Sequence, residues 1–282
     1  MKTKIILSSC FLAFIGVFLY LYASRPSSDS LLAKLPDAPS AQYILDWEDD
    51  FKGNTLDTTK WSRVERHTAI PWRSYMTTDD RLYRHRNGYL RLYCIRNNGV
   101  IKNDTARVLT GGIWTRDKKA IGFGKVEVRA RMTSAMGLWP AIWLTSHELG
   151  EDNPKHAEID LLEHYNHDKH IFSTFHNYHT LHKQQEKSEY SFQHNVNVGR
   201  WNTYCVEILP DRLIMSVNDN IVAQYSKLRE SRALGQFPYG TPSFLIIDMQ
   251  WASNPWLKDL RPEELPAWMD IDWVKVYRLA GA

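Results

Sequence analysis

Three carboxylates lie close together in the segment HAEIDLLEHYN, residues 156–166, at Glu158, Asp160 and Glu163. Neighbouring carboxyl groups can serve as a nucleophile and as a proton donor, provided that they face the same substrate. Side chains alternate along a β-strand, so Glu158 and Asp160 would share a face and Glu163 would point to the other. All three share a face only if one residue, at Leu161 or Leu162, is bulged out of the strand.

A helix is the competing interpretation of this segment. It would place Ile159 and Leu162 on one side and leave the acids as a solvated face. The neighbouring segments favour a strand. The strand-like GLWPAIWL is separated from the acids by only a short loop, and the strand-like HIFSTFHNY follows them. We therefore predict a bulged strand, of the kind used to re-aim side chains beside active sites.

Tryptophans accompany the acids in the segment GLWPAIWLTS, residues 137–146. A strand there places Trp139 and Trp143 on the face opposite Ile142 and Leu144. Flat aromatic faces are surfaces on which sugar rings stack, and packing in the core is the alternative role. Acids beside such a platform favour glycoside hydrolysis, in which one carboxylate attacks the sugar and a second carboxyl group acts first as acid and then as base.

The elements that must position these residues are β-strands. Short runs rich in Val, Ile, Tyr and Trp recur from residue 42 onward, and RNG, LPD and VNDN punctuate them as turns. The chain has 282 residues, 24% charged and with a net charge of +3, and it contains no basic run that would indicate a nucleic-acid partner. We predict an all-β, two-sheet sandwich with one core.

The first 24 residues differ from the rest. Lys2 and Lys4 precede an apolar run from Ile5 to Ala23, and a polar stretch with Pro and Ser follows. This order is typical of an export signal, and the run is also long enough to remain as a membrane anchor. We expect residues 1–24 to be a signal peptide or an anchor, 25–41 a linker and 42–282 the folded domain of an exported protein.

The chain from about residue 43 to 279 resembles glycoside hydrolase family 16, the laminarinase-like β-jelly-roll enzymes. EIDLLE matches the bulged catalytic motif E-x-D-x-x-E, and LDWEDDFKGNTLDTTKWS, GFGKVEVRARM, GLWPAIWL, WNTYCVEILPDRLIMSVND and MDIDWVKVYR match in order. The resemblance implies a concave cleft, with Glu158 as the nucleophile, Glu163 as the acid/base and Asp160 as the assisting acid. Trp139, Trp143 and His176 match cleft positions. It implies a retaining, endo-acting enzyme that needs no cofactor for catalysis.

The resemblance also implies a structural calcium ion away from the cleft. The matching ligand positions are Asp50, Gly88 and Asp272, and ordinary surface acids are the alternative.

Late in the chain, IDMQWASNPWLKDLRPEELPAW departs from the glycine-rich stretch of laminarinases and resembles members that act on galactose-containing glycans. We expect Trp251 in this longer loop to bind substrate. A β-galactoside-containing glycan is therefore slightly preferred over β-1,3-glucan, for a protein that we expect to be a monomer.

Two other functional classes remain open. HNYHTLH spaces His176, His179 and His182 every third residue, which raises a transition-metal site, although strand periodicity would not place all three on one face. A non-catalytic carbohydrate-binding module on the same sandwich would explain the tryptophans but not the acids.

Cys94 and Cys205 could form one disulfide, which the sequence does not decide.

Overall fold

The computed structural model describes residues 41–147, 150, 152–182, 189–228, 235–251, 257 and 260–281. The predictions for residues 1–24 lie outside these residues, as does nearly all of the proposed linker. The described chain from Gln42 onward is one compact unit. None of its helices is long and apolar enough to cross a membrane.

Antiparallel strands form two sheets, which confirms the all-β sandwich. The nine-stranded sheet contains β1 (Tyr43–Asp49), β3 (Tyr83–Arg86), β4 (Tyr89–Arg96), β5 (Val108–Thr110), β7 (Gly124–Met132), β12 (Asn202–Ile208), β13 (Arg212–Val217), β14 (Asn220–Ser226) and β16 (Ala267–Leu279). The seven-stranded sheet contains β2 (Ser62–Arg63), β6 (Gly112–Trp114), β8 (Leu138–Ser146), β9 (Ala157–Glu163), β10 (His170–Asn177), β11 (Ser191–Asn195) and β15 (Ser243–Trp251).

Helical structure in the described residues is short. It consists of α1 (Tyr178–His182) and the 3₁₀ turns Pro71–Arg73, Asp80–Leu82 and Pro262–Glu264. In the seven-stranded sheet the order of strands is β11, β10, β9, β8, β15, β6 and β2, so β9, which carries the three acids, lies between β8 and β10.

The core lies between the two sheets and follows from the alternation of the strands. In β7, Val126, Val128 and Ala130 are fully buried, while the residues between them are half-exposed. From the other sheet, Ile142 and Ile247 contribute to the same core. Burial of such side chains contributes roughly 1.5–3 kcal/mol each, so the alternation fixes which face of each strand is turned outward.

Turns at the predicted positions set the register of two hairpins. Asn87 and Gly88 have φ values of 49° and 82° and join β3 to β4, and Asn218 and Asp219 have φ values of 51° and 65° and join β13 to β14. Two consecutive residues with positive φ match the right-handed twist of the strands they connect. Asn, Asp and Gly are the residues that tolerate this conformation, which is why RNG and VNDN predict the turns correctly.

The two cysteines of the described chain are both free. Cys94 lies in the core, whereas Cys205 alternates with the core residues Tyr204 and Val206 and is on the other face of its sheet. Their strands, β4 and β12, are separated by β16 and β7, which places them roughly 14 Å apart at about 4.8 Å per strand. This separation is too large for a disulfide.

Candidate active site

The strand that carries the three acids contains the predicted bulge. On the neighbouring strand β8, Trp143 lies opposite Asp160 and Ala141 lies opposite Glu163, and the register shifts between these pairs. Leu162 is still paired, with Ile142, so Leu161 is the extra residue. The bulge therefore restores the acids to one side of the sheet, which we call the acid face.

Local packing explains why the bulge forms at Leu161. Leu161 and Leu162 are both buried in the core, an arrangement that a regular strand does not allow for consecutive residues. The hydroxyl group of Ser173, on β10, donates a hydrogen bond of 3.0 Å to the backbone carbonyl of Leu161. This bond satisfies a carbonyl group that the disrupted ladder leaves unpaired.

Glu163 is held by two hydrogen bonds to the same oxygen. The indole Nε1 of Trp139 and the hydroxyl group of Tyr165 each donate to Oε1 at 2.9 Å. The two rings pack against each other, with centroids 5.5 Å apart. Burial, followed by the charge of Asp160, raises the pKa of Glu163 to about 7, although both hydrogen bonds act to lower it. Glu163 can therefore carry a proton near neutral pH, and Oε2 is the oxygen that these two bonds do not use.

Glu158 and Asp160 lie together with His176 of β10. Nε2 of His176 is 3.4 Å from Oδ2 of Asp160 and 4.0 Å from Oε1 of Glu158. The side chain of Glu158 is 26% exposed and that of Asp160 is 7% exposed, so Glu158 is the acid that a substrate can reach. Burial, and then the charge of Asp248, raises the pKa of Asp160 to about 8.

Asp248, on β15, is a fourth acid on this face that the sequence analysis missed. It is fully buried and accepts hydrogen bonds from Nε1 of Trp143 at 3.3 Å and from Nε2 of Gln250 at 3.5 Å. Burial raises its pKa to about 8. The available signal was an acid inside the apolar run SFLIIDMQW, because burying a carboxylate in a strand that is buried on both faces costs free energy unless the group is paired or protonated.

The predicted aromatic residues divide between the acid face and the core. Trp139 is half-buried beside Glu163, and Trp143 is buried on the acid face under the ring of Trp72, 5.0 Å away. Trp251 belongs to β15 and not to a loop, and its ring is 3% exposed within the core. This placement corrects the loop prediction and leaves no support for contact with substrate, since alternation along β15 turns Asp248 and Gln250, not Trp251, to the acid face.

Trp72, which the sequence analysis did not single out, lies in the 3₁₀ turn Pro71–Arg73. Its ring meets Trp143 and Trp114 edge to face, with centroid distances of 5.0 and 6.3 Å. The segment between β2 and β3 therefore covers part of the acid face. The pattern IPWRSY offered one signal, a tryptophan beside an arginine in a loop outside the predicted strands.

The residues predicted to bind calcium do not form a free anionic site. Asp50 is exposed and pairs with Lys52 at 2.6 Å, and Asp272 accepts a hydrogen bond from Arg129. Gly88 lies in the turn between β3 and β4, next to the side chain of Lys52. Calcium prefers several oxygens whose charge is not already neutralised. As arranged here, the donor set does not fit the ion.

The histidine hypothesis has no support in the described residues. His176 lies on β10, whereas His179 and His182 lie on α1, and His182 is 3.4 Å from Asp152. Among the described residues, the one set of three side chains close enough to share a metal ion is Glu158, Asp160 and His176. That set contains a single histidine and coincides with the acids already described.

A jelly-roll sandwich with acids aligned by a bulge defines a class of glycan-processing proteins, and comparison with known proteins identifies the family. Residues 77–275 match the model of the family described as glycosyl hydrolases family 16. The chain belongs to this family, which confirms the resemblance.

Relatives show the range of proteins on this fold. A keratan-sulfate endo-1,4-beta-galactosidase of Sphingobacterium multivorum is 29% identical over 259 residues; the match covers 91% of this chain and 60% of that protein. The laminarinase of Rhodothermus marinus has a TM-score of 0.72 at 23% identity, with 86% of this chain and all of that chain covered. A structure reported with endo-acting O-glycanases of the human gut microbiota has a TM-score of 0.70 at 24% identity, covering 84% and all of the two chains. These structural matches show the shared fold.

Proposed function

We propose that the chain is a retaining, endo-acting β-glycosidase that cleaves internal linkages of a β-galactoside-containing glycan. The observation that carries the proposal is the bulge at Leu161, which brings Glu158, Asp160 and Glu163 to one face. A non-catalytic module has no use for a bulge that aligns three acids, nor for a carboxyl group whose pKa is raised to about 7.

Glu163 is the proposed acid/base. Its proton passes from Oε2 to the oxygen of the leaving sugar as the glycosidic bond breaks, while Trp139 and Tyr165 fix Oε1. A carboxyl group with a pKa near the working pH both gives and recovers a proton readily. In the second step the ionised Glu163 takes a proton from water, which attacks the anomeric carbon and releases the enzyme.

Glu158 is the proposed nucleophile. Its carboxylate forms a bond to the anomeric carbon in the first step, and that bond breaks in the second. Two displacements at one carbon restore the original configuration. Asp160 lies beside it with a raised pKa, so it can hold a proton and donate a hydrogen bond, and its charge when ionised keeps Glu163 protonated. His176 lies within 3.4 Å of Asp160 and orients it.

The proposed preference for a β-galactoside rests on two observations. Asp248 and Gln250 stand on the acid face within IDMQ, the stretch that departs from the laminarinase pattern. The relative with 29% identity is named as an endo-1,4-beta-galactosidase, and its match covers 91% of this chain. Laminarinases share the fold at lower identity, so β-1,3-glucan is the principal competitor.

A polysaccharide panel with sizing of the products tests this function. We expect poly-N-acetyllactosamine chains to be cut to oligosaccharides, with higher kcat/KM than laminarin, and proton NMR to show a β-anomer as the first product. Glu163→Gln protein serves as the inactive control. Release of monosaccharide alone, an initial α-anomer, or faster cleavage of laminarin would each contradict a different part of the proposal.

We also propose that residues 1–24 carry the protein out of the cytoplasm. The basic residues followed by an apolar run of export length support this. Fractionation of expressing cells, compared with cells that express a form lacking residues 1–24, tests it. Cytoplasmic accumulation of the full chain would contradict the proposal.

A further inference from the structure

One row of residues crosses the acid face at right angles to the strands. Asp160, Trp143, Ile246 and Trp114 lie directly opposite one another on four neighbouring strands. Three strand spacings of about 4.8 Å separate Asp160 from Trp114, or roughly 14 Å. A glycan that crosses the strands at the acids therefore reaches Trp114 more than one sugar ring away from the bond that is cut.

Two guanidinium groups lie against the ring of Trp114. The Cζ atom of Arg73 is 4.9 Å from the ring centroid, and that of Arg116 is 5.4 Å away. Arg73 also contacts the ring of Trp72 at 5.7 Å, and Arg116 contacts Phe244 at 5.8 Å. Aromatic contacts of this kind hold the planar groups in place and leave their N–H edges available.

The positive charge of this pair is poorly compensated. Nε of Arg73 donates to a backbone carbonyl, that of Glu65, at 2.9 Å, and among the described residues no carboxylate lies within 4 Å of its guanidinium. Arg116 is 3.8 Å from Asp117, but both side chains are exposed, so the contact is weak. Burial, and then the charge of Arg116, lowers the pKa of Arg73, and the carboxylate of Glu65 offsets part of this.

Several other arginines of the described chain are paired with a carboxylate at short distance. Arg66 pairs with Asp104 at 2.8 Å, and Arg81 pairs with Asp79 at 2.7 Å. Two cations that repel each other on one aromatic platform leave a site that an external anion would stabilise. Arginine is the side chain best suited to a sulfate or carboxylate group, because its N–H donors match two oxygens at once.

We propose that Arg73 and Arg116 form a subsite for an anionic substituent, a sulfate ester or a sugar carboxylate, on a glycan residue bound beside Trp114. The proposal rests on the proposed function and adds a substrate class to it. A neutral glucan offers no group to neutralise the pair. An anionic galactan does, and its binding at this remote subsite would hold the chain across the acids.

The test compares three substrates that share one backbone: keratan sulfate, the same chain after chemical desulfation, and a sialylated, unsulfated chain. Arg116→Gln is the first variant, because its guanidinium makes no hydrogen bond to the backbone of the described residues. Arg73→Gln is the second, and Arg278→Gln, an exposed arginine of β16, is the matched control. We expect the ratio of kcat/KM between an anionic chain and the desulfated chain to fall about tenfold in both variants, because each variant removes a charge-assisted hydrogen bond to the anion, and to stay constant in the control.

The outcomes separate this proposal from the proposed function. Equal cleavage of anionic and desulfated chains by the unaltered protein, with no change in the variants, would overturn the subsite and leave the endo-galactosidase function standing. Cleavage of none of the three would overturn the function, and titration calorimetry with Glu163→Gln protein would then decide the subsite. If this protein binds keratan sulfate or the sialylated chain, and adding Arg116→Gln abolishes that binding, the subsite is supported. If it binds the desulfated chain as tightly as the anionic chains, the subsite is refuted.

Discussion

Buried carboxylates occur on the outer faces of both sheets, and the two sheets treat them differently. On the nine-stranded sheet, Asp270 is fully buried and is clamped by Arg91 at 2.6 Å and by Arg131 at 3.0 Å. On the acid face, Asp160 and Asp248 are also buried, and neither forms an ion pair with Lys or Arg in the described chain. The first sheet neutralises its acid with cations, and the second leaves its acids to hold protons.

This difference distinguishes a carboxylate that stabilises the fold through ion pairs from one that can hold and transfer a proton. An ion pair favours the charged form, whereas burial without a cation favours the protonated form and raises the pKa. Asp160, Glu163 and Asp248 all show the second behaviour, with pKa values of about 8, 7 and 8. Keeping several such groups together costs stability, and clusters of this kind are characteristic of sites where protons are transferred.

The largest expected effect comes from removing Glu158 and Glu163, the two acids that we propose contact the substrate. Glu163→Gln should lower kcat by about 10²–10⁴, the usual contribution of a general acid, and Glu158→Gln by at least as much. Asp160→Asn should cost less than either, because Asp160 acts through its neighbours. The control is Glu127→Gln on the nine-stranded sheet, where Glu127 pairs with Lys125 at 2.8 Å. A loss of activity in the control comparable to that of Glu163→Gln would break the distinction between the two sheets.

Removing the clamped acid should affect stability instead. Asp270→Asn leaves Arg91 and Arg131 without their shared anion, and we expect the free energy of unfolding to fall by about 3 kcal/mol, the low end for a broken buried pair because Arg131 is partly exposed. Urea denaturation measures this change. The activity of the folded protein should stay the same. A selective loss of kcat without loss of stability would show that the nine-stranded sheet also carries chemistry.

Asp248→Asn should raise the free energy of unfolding, the opposite of the change expected for Asp270→Asn. The pKa of Asp248 is raised from 3.8 to about 8, so between these pH values the folded protein binds a proton that the unfolded chain has lost. Stability therefore falls as pH rises through this window. The amide does not titrate, so the variant should be more stable than the unaltered protein at pH 8.5, by about 1–3 kcal/mol, and gain little at pH 4. A gain in stability that is the same at both pH values would show that the pKa of Asp248 is not raised.

The sequence predicted most of this arrangement because its signals are local. Alternation identified β8, the turn segments RNG and VNDN identified two hairpins, and the out-of-step Glu163 identified the bulge to within one residue. Each of these depends on neighbours along the chain, which a sequence displays directly.

What the sequence did not predict depends on contacts between distant segments. Asp248 and Trp143 are 105 positions apart, and only the pairing of β15 with β8 brings them together. Trp72 joins the acid face through a loop whose path has no periodic pattern. Trp251 was placed in a loop because the glycine-rich pattern was missing, whereas its own strand alternation points it into the core.

The smallest expected effect sharpens the account of Glu163. Tyr165 and Trp139 each donate to its Oε1 and thereby lower its pKa, Tyr165 by more than Trp139, while the charge of Asp160 raises it. Activity should decline as pH rises past about 7, where Glu163 loses the proton that it must donate. Tyr165→Phe and Trp139→Phe remove one donor each, so the alkaline limb of kcat/KM should move to higher pH, further in the first variant. Asp160→Asn should move the same limb to lower pH. Purely structural damage would lower the whole profile without moving its limb, and a shift of all three variants in one direction would rule out Glu163 as the titrating acid.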